Sequence, residues 1–168
     1  MEKSQSFLIS LVERILSITA FIFPFFETMS YFGPKVFLGT ENVILQDIYL
    51  NSLEEATNFY IENNLLIFIF MVWLFIICSR GSVRLTKYVR FNIIQAILLN
   101  IICSCVGLAF SFLPIVLRES LVGLIFSNFL FLSIVLILGY CSLLIAYHRY
   151  PELPIVTEAA KLQVRKGG

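Results

Sequence analysis

The sequence predicts an all-α integral membrane protein: a single membrane domain, residues 1–168, folded as a bundle of four transmembrane helices with a short amphipathic helix in the first loop. Three observations predict it. The chain is 59% hydrophobic and only 14% charged, an apolar excess and a charge deficit relative to ordinary soluble domains. Its apolar runs approach or reach the ~20 residues a helix needs to cross hydrocarbon. Its bases are gathered, with Arg80, Arg84, Lys87 and Arg90 standing just before the run that opens at Phe91. Moving Lys or Arg across a bilayer is costly, so a short loop rich in them stays on the inner side, and every other loop follows by alternation.

The first span is expected at about 7–26, closed by Pro24. Its Leu, Ile, Val and Phe side chains favour insertion by roughly 4–8 kcal/mol, whereas Glu13 and Arg14 near its centre cost about 5–7 kcal/mol. The near-zero sum leaves two placements open, across the bilayer or flat in the interface. Ser6, Ser10, Glu13 and Ser17 form one polar stripe, which in a spanning helix must face protein or water. Glu2 and Glu13 and the missing small-residue cleavage site argue against a signal or transit peptide.

Gly33-Pro34 and Gly39 read as a loop. Leu45, Ile48, Tyr49, Leu53, Ala56, Phe59 and Tyr60 then repeat at helical spacing opposite Gln46, Asp47, Glu54 and Glu55, the pattern of an amphipathic helix on the outer surface. The second span is expected at about 59–78, because Leu65–Cys78 alone is too short to cross. Trp73 falls deep inside it, where packing is the expected role. Glu27, Glu41, Asp47, Glu54, Glu55 and Glu62 against Lys35 alone make the first outer segment acidic.

The third span, about 91–113, ends at Pro114. Asn92, Ala96, Asn100, Ser104, Gly107 and Ser111 share one face with Gln95 beside them; unpaired amides are costly in hydrocarbon, so that face meets other helices or lines a polar path. The fourth span, about 121–147, carries Asn128, Gly139, Ser142 and Ala146 on one face, a seam by which membrane helices approach closely. Tyr88, Tyr147 and Tyr150 fall where an inner aromatic belt belongs. His148 and Arg149 open an inner tail, 148–168, so both ends lie inside.

No phosphate loop, metal-ligand spacing or nucleophile elbow occurs, and no basic surface suggests nucleic acid. The expectation is a non-enzyme with no catalytic, cofactor or metal residues. Cys78, Cys103, Cys105 and Cys141 all sit in apolar runs, where they act as small buried hydrophobes. Glu13 is read as the one intramembrane carboxylate, which a small proton-coupled transporter working as a dimer would need.

VRFNIIQAILLN at 89–100 and YPELPIVTEAAKLQV at 150–164 resemble the two signature regions of the twenty-kilodalton subunit family of the chloroplast inner-envelope import translocon, including its red-algal plastid-encoded and cyanobacterial members. ERILS at 13–17 and Pro24 are also similar. The matching positions are Arg90, Phe91, Asn92, Gln95 and Ala96, then Tyr150, Pro151, Leu153, Pro154, Ile155, Glu158 and Ala159. The resemblance implies a four-helix protein of the plastid inner envelope, or of the plasma membrane in a cyanobacterium, with both termini stromal. It also implies other translocon subunits and precursor polypeptides as partners. The expected roles are Arg90 as boundary anchor, Asn92 and Gln95 as bonds across the bundle, and the Pro-bounded tail as a cap. One chain cannot enclose a wide pore, because its small-residue seam draws helices together, so a conducting form needs partners or a homo-oligomer. The competing expectation is a non-conducting scaffold.

Overall fold

The computed structural model describes residues 2–39, 42–81 and 85–166, with side chains from Ile9 to Val164 among them. Thr40, Ser82 and Arg84 of the basic collar lie outside the described residues, as do the side chains of Ser6, Arg165 and Lys166. The described residues are helical and contain no strand: α1 Glu2–Ala20, α2 Ile22–Leu38, α3 Val43–Ile48, a π-turn Tyr49–Leu53, α4 Glu54–Glu62, α5 Asn64–Arg80, α6 Lys87–Ser111, α7 Ile115–Arg118, α8 Leu121–Ala146 and α9 Val156–Lys166. Three stretches are long and apolar enough to cross a membrane, Ile9–Leu38, Lys87–Ser111 and Leu121–Ala146; Val43–Glu62 with Asn64–Arg80, bent by 76°, makes a further one if the pair is counted as one span.

The first stretch departs most from the sequence reading. Pro24 does not end it, because the helix is interrupted only at Phe21 and Pro24 falls in the first turn of α2, where a missing N–H costs nothing. Gly33-Pro34 is likewise inside α2, not a loop, and the helix ends only at Gly39, whose N–H bonds Lys35 O at 3.1 Å. Hydrocarbon offers a freed peptide group no alternative partner, so apolar helices run through proline where water-exposed ones stop. One consequence is that Glu27, read as an outer-loop acid, is buried in the middle of this stretch.

α6 is the central element, buried at nearly every position from Tyr88 to Asn100. Thr86 caps its start by accepting from Val89 N. α1, α2, α5 and α9 pack on it, and the larger core cluster gathers on its Val89–Cys103 half. Gly107 lets α2 approach, since a Cβ there would stand 2.2 Å from the Tyr31 ring. At one end of the bundle Lys35 pairs with Glu119 at 3.0 Å and donates to Arg118 O. At the other, Arg14 donates to Ala146 O at 2.9 Å, a cation on the carbonyl end of α8, which the helix dipole favours.

Other expectations are corrected. α5 begins at Asn64, not Phe59, because Asn63 adopts a non-helical conformation with its amide on Phe59 O. The preceding arm is one 20-residue helical run in which Tyr49, Thr57 and Tyr60 face protein while Leu45, Ile48 and Phe59 are exposed. Trp73 is outside the bundle, stacked on Phe70. Of the three belt tyrosines, Tyr88 is buried under His148, while Tyr147 and Tyr150 are exposed. Cys105 is exposed, unlike the other three cysteines. The α8 seam points outward: Asn128 and Gly139 are exposed and nothing stands within 4 Å of a Cβ at Gly139. The packed face of α8 is instead Ser127, Phe131, Ile134, Leu138, Cys141 and Ile145, a helically spaced stripe of mixed small and bulky residues.

Candidate functional site

Two polar layers cross the bundle. The lower one anchors α6 to its neighbours near α9. Arg90 donates through Nε to Cys78 O at 2.7 Å and through Nη2 to Ser79 O, satisfying carbonyls at the end of α5 that have no intrahelical donor. Asn92 Nδ2 donates to Ser17 at 3.2 Å, with both residues fully buried. Gln95 Nε2 reaches Pro151 O and Thr157 Oγ1 at 3.2 and 3.3 Å. Thr157 in turn accepts from Leu153 N at 2.6 Å, closing the turn that starts α9. Phe91 meets Tyr150 edge-on, Ala96 and Pro151 are fully buried, Leu153 and Ala159 are partly buried, and Pro154, Ile155 and Glu158 are exposed. Replacing Gln95 with Leu therefore removes both bonds to the tail; about 1–2 kcal/mol of stability should be lost, read as faster proteolytic release of α9.

Ile155 carries a positive φ of 68° and is 82% exposed. A β-branched residue in that region is strained. Ile155→Gly should raise thermal stability by about 1 kcal/mol, and an unchanged melting temperature would refute the strain.

The upper layer centres on Glu27, which the sequence reading missed. Tyr60 donates its hydroxyl to Oε2 at 2.7 Å and Ser104 donates to Oε1, so one carboxyl joins α2, α4 and α6. Asn100, 2% exposed, keeps its Oδ1 without a partner among the described residues. Above this layer a cleft of about 310 Å³ opens sideways between α5 and α6. Phe68, Met71, Val72, Ile97 and Ile101 contribute to its walls, and Glu27, Asn100 and Ser104 lie at its base. The arrangement is an apolar slot with hydrogen-bonding groups at its base, able to hold an apolar body that carries a polar group.

The polar face predicted on α6 thus divides. Asn92 and Gln95 are consumed inside the bundle, Asn100 and Ser104 border the cleft, and the Ser111 hydroxyl donates to Gly107 O of its own helix while its carbonyl accepts from Arg118. On α1 Ser17 faces α6, while Glu13 is partly buried. Asn128 is far from both layers in bonding terms, on the outer surface of α8. Glu27 and Tyr60 were legible in part: once Pro24 and Gly33-Pro34 cease to break the helix, Glu27 is the lone acid in an apolar run from Ile15 to Phe32.

A family model described as "Chloroplast import apparatus Tic20-like" matches residues 11–160. The Tic20 family protein Ycf60 of Gracilaria tenuistipitata var. liui is 28% identical over 158 residues, 93% of this chain and 77% of the relative. A Tic20 family protein of Synechocystis sp. is 30% identical over 155 residues, covering 91% of this chain and 93% of that one. Protein TIC 20-v, chloroplastic, of Arabidopsis thaliana is 31% identical over 160 residues, 90% of this chain and 71% of that one. No solved structure matches the chain significantly. The match spans every residue named in the two polar layers, and the chain belongs to the Tic20-like family of the chloroplast import apparatus.

Proposed function

We propose that the chain is a membrane subunit of the plastid inner-envelope protein-import translocon, contributing to the path taken by precursor polypeptides alongside other translocon subunits. The role is non-enzymatic. In this reading the bent α4–α5 pair crosses as one span, giving four spans with both termini in the stroma and the Lys35–Glu119 end facing the intermembrane space. The observation that carries it is the sideways-open cleft between α5 and α6 with Glu27, Asn100 and Ser104 at its base. A groove that is apolar at the walls and polar beneath suits a chain passing from water to lipid.

The test is a photoreactive residue at Val72, on the cleft wall, compared with one at Ile125, exposed on α8. An arrested precursor should crosslink from Val72 and not from Ile125; no adduct from either would end the proposal. Topology is checked separately by single cysteines at Glu119 and Glu158, expected to react from opposite sides. Thr157 is unsuited to that assay because it is buried and bonded.

The scaffold reading keeps one observation in its favour: Asn92, Gln95 and Ser104 all bond within the bundle, as holding groups would. The transporter reading turns on Glu13. Under the translocon reading Glu13→Gln changes stability by at most about 0.5 kcal/mol and leaves import intact.

A further inference from the structure

Resting on that reading, we propose that the α5–α6 cleft selects apolar, membrane-destined segments of a polypeptide, holding them through a hydrogen bond to the base of the cleft. The cleft runs parallel to the helices, from Asn64 to Phe75 along α5, about 17 Å at 1.5 Å per residue. That is several turns of a helix laid alongside. Its walls are apolar and both reach the outside of the bundle, at Val72 on α5 and Ile101 on α6, each exposed. A hydrophilic chain would desolvate there without return.

Its base has a different requirement. The Asn100 amide oxygen is buried with no donor among the described residues, and both Glu27 oxygens act as acceptors toward Tyr60 and Ser104. The Glu27 carboxyl is thus already supplied, and the unmet demand for a donor is that of Asn100, at the depth of the middle of α6. A lipid acyl chain fits the walls but keeps its donors in the headgroup, so it leaves the oxygen unpaired at a cost of about 1–3 kcal/mol. A polypeptide carries Ser or Thr hydroxyls and backbone N–H groups at any depth. An apolar segment with one such donor satisfies both walls and base.

The probe is a dansylated Leu/Ala helix of about 20 residues with one central Ser, compared with its Ser-free counterpart. Both are added to the full chain in phosphatidylcholine nanodiscs. Trp73, the single tryptophan, follows Val72 on α5 and reports association by energy transfer. The Ser helix should bind about three- to tenfold more tightly, the worth of one interhelical hydrogen bond in a membrane. Asn100→Leu should erase that preference. Ile101→Phe, which adds bulk to an exposed wall position, should weaken both helices while leaving the bundle folded.

Equal binding of the two helices, or a preference that survives Asn100→Leu, overturns the proposal and makes the cleft a lipid-filled seam. The assay contains no translocon, so it fails independently of the precursor crosslinks that test the function.

Discussion

Replacing Glu27 with Ala should lower the stability of the bundle by about 2–4 kcal/mol, the largest loss expected from any single polar residue here. Two hydroxyls donate to this carboxyl. A hydrogen bond to a charged group contributes about 1.5–3 kcal/mol in water-soluble proteins, and measured interhelical bonds in membranes contribute about 0.6–1.7 kcal/mol. The two hydroxyls do not lose equally. Ser104 already reaches Asn100 O at 3.1 Å and falls back on it, whereas Tyr60, 5% exposed, donates its hydroxyl to Glu27 alone among the described residues. The loss should concentrate on α4 and show first as release of the arm Val43–Glu62. Glu27→Gln keeps an acceptor and should cost about half as much. A double-mutant cycle with Tyr60→Phe, followed by denaturation in mixed micelles, measures the coupling; additive losses would mean that the two residues merely touch.

Gly107→Val is the second large effect. A Cβ at this position would stand 2.2 Å from Tyr31 Cδ2 and 2.3 Å from Cγ. Cγ is fixed close to the α2 backbone, so the ring cannot swing clear and α2 itself must retreat from α6. Overpacking costs about 1–3 kcal/mol, and the gain of up to about 1 kcal/mol from removing a helical glycine does not offset it. Because α2 also carries Glu27, the retreat should loosen both bonds of the upper layer at once. Tyr31→Ala in the same chain opens the space and should restore most of the loss. A variant that stays as stable as the parent while Tyr31 is intact would show that the two helices are not held at this spacing.

How much of this was legible depended on which force set each element. The ends of α6 and α8 lie within a few residues of the expected 91–113 and 121–147, because length, hydropathy and flanking charge all act along the chain. The extension of the first span to Leu38 was hidden by Pro24 and Gly33-Pro34, whose breaking power is a property of water-exposed helices. The outward turn of Asn128 and Gly139 was hidden for another reason. Residue type says that a face can pack closely, and only the neighbouring helices decide whether it does. The bonds of Asn92 and Gln95 across the bundle followed from hydrocarbon offering no other partner. The partners of Glu27, Tyr60 and Ser104, stand 33 and 77 residues away, a pairing no local pattern contains.

The Arg14 contact with Ala146 bears on the order of biosynthesis. The two residues are 132 positions apart, so at about 5–20 residues per second the ribosome needs roughly 7–26 s to deliver the second after the first. Throughout that interval the amino-terminal segment, whose own membrane affinity sums to nearly nothing, lacks its contact with α8, although Asn92, the α6 partner of its Ser17, is made earlier. Among the spans the amino-terminal helix is therefore the last to gain all its contacts, and nascent chains cut short before residue 146 should leave it more readily extractable by alkali than the later spans.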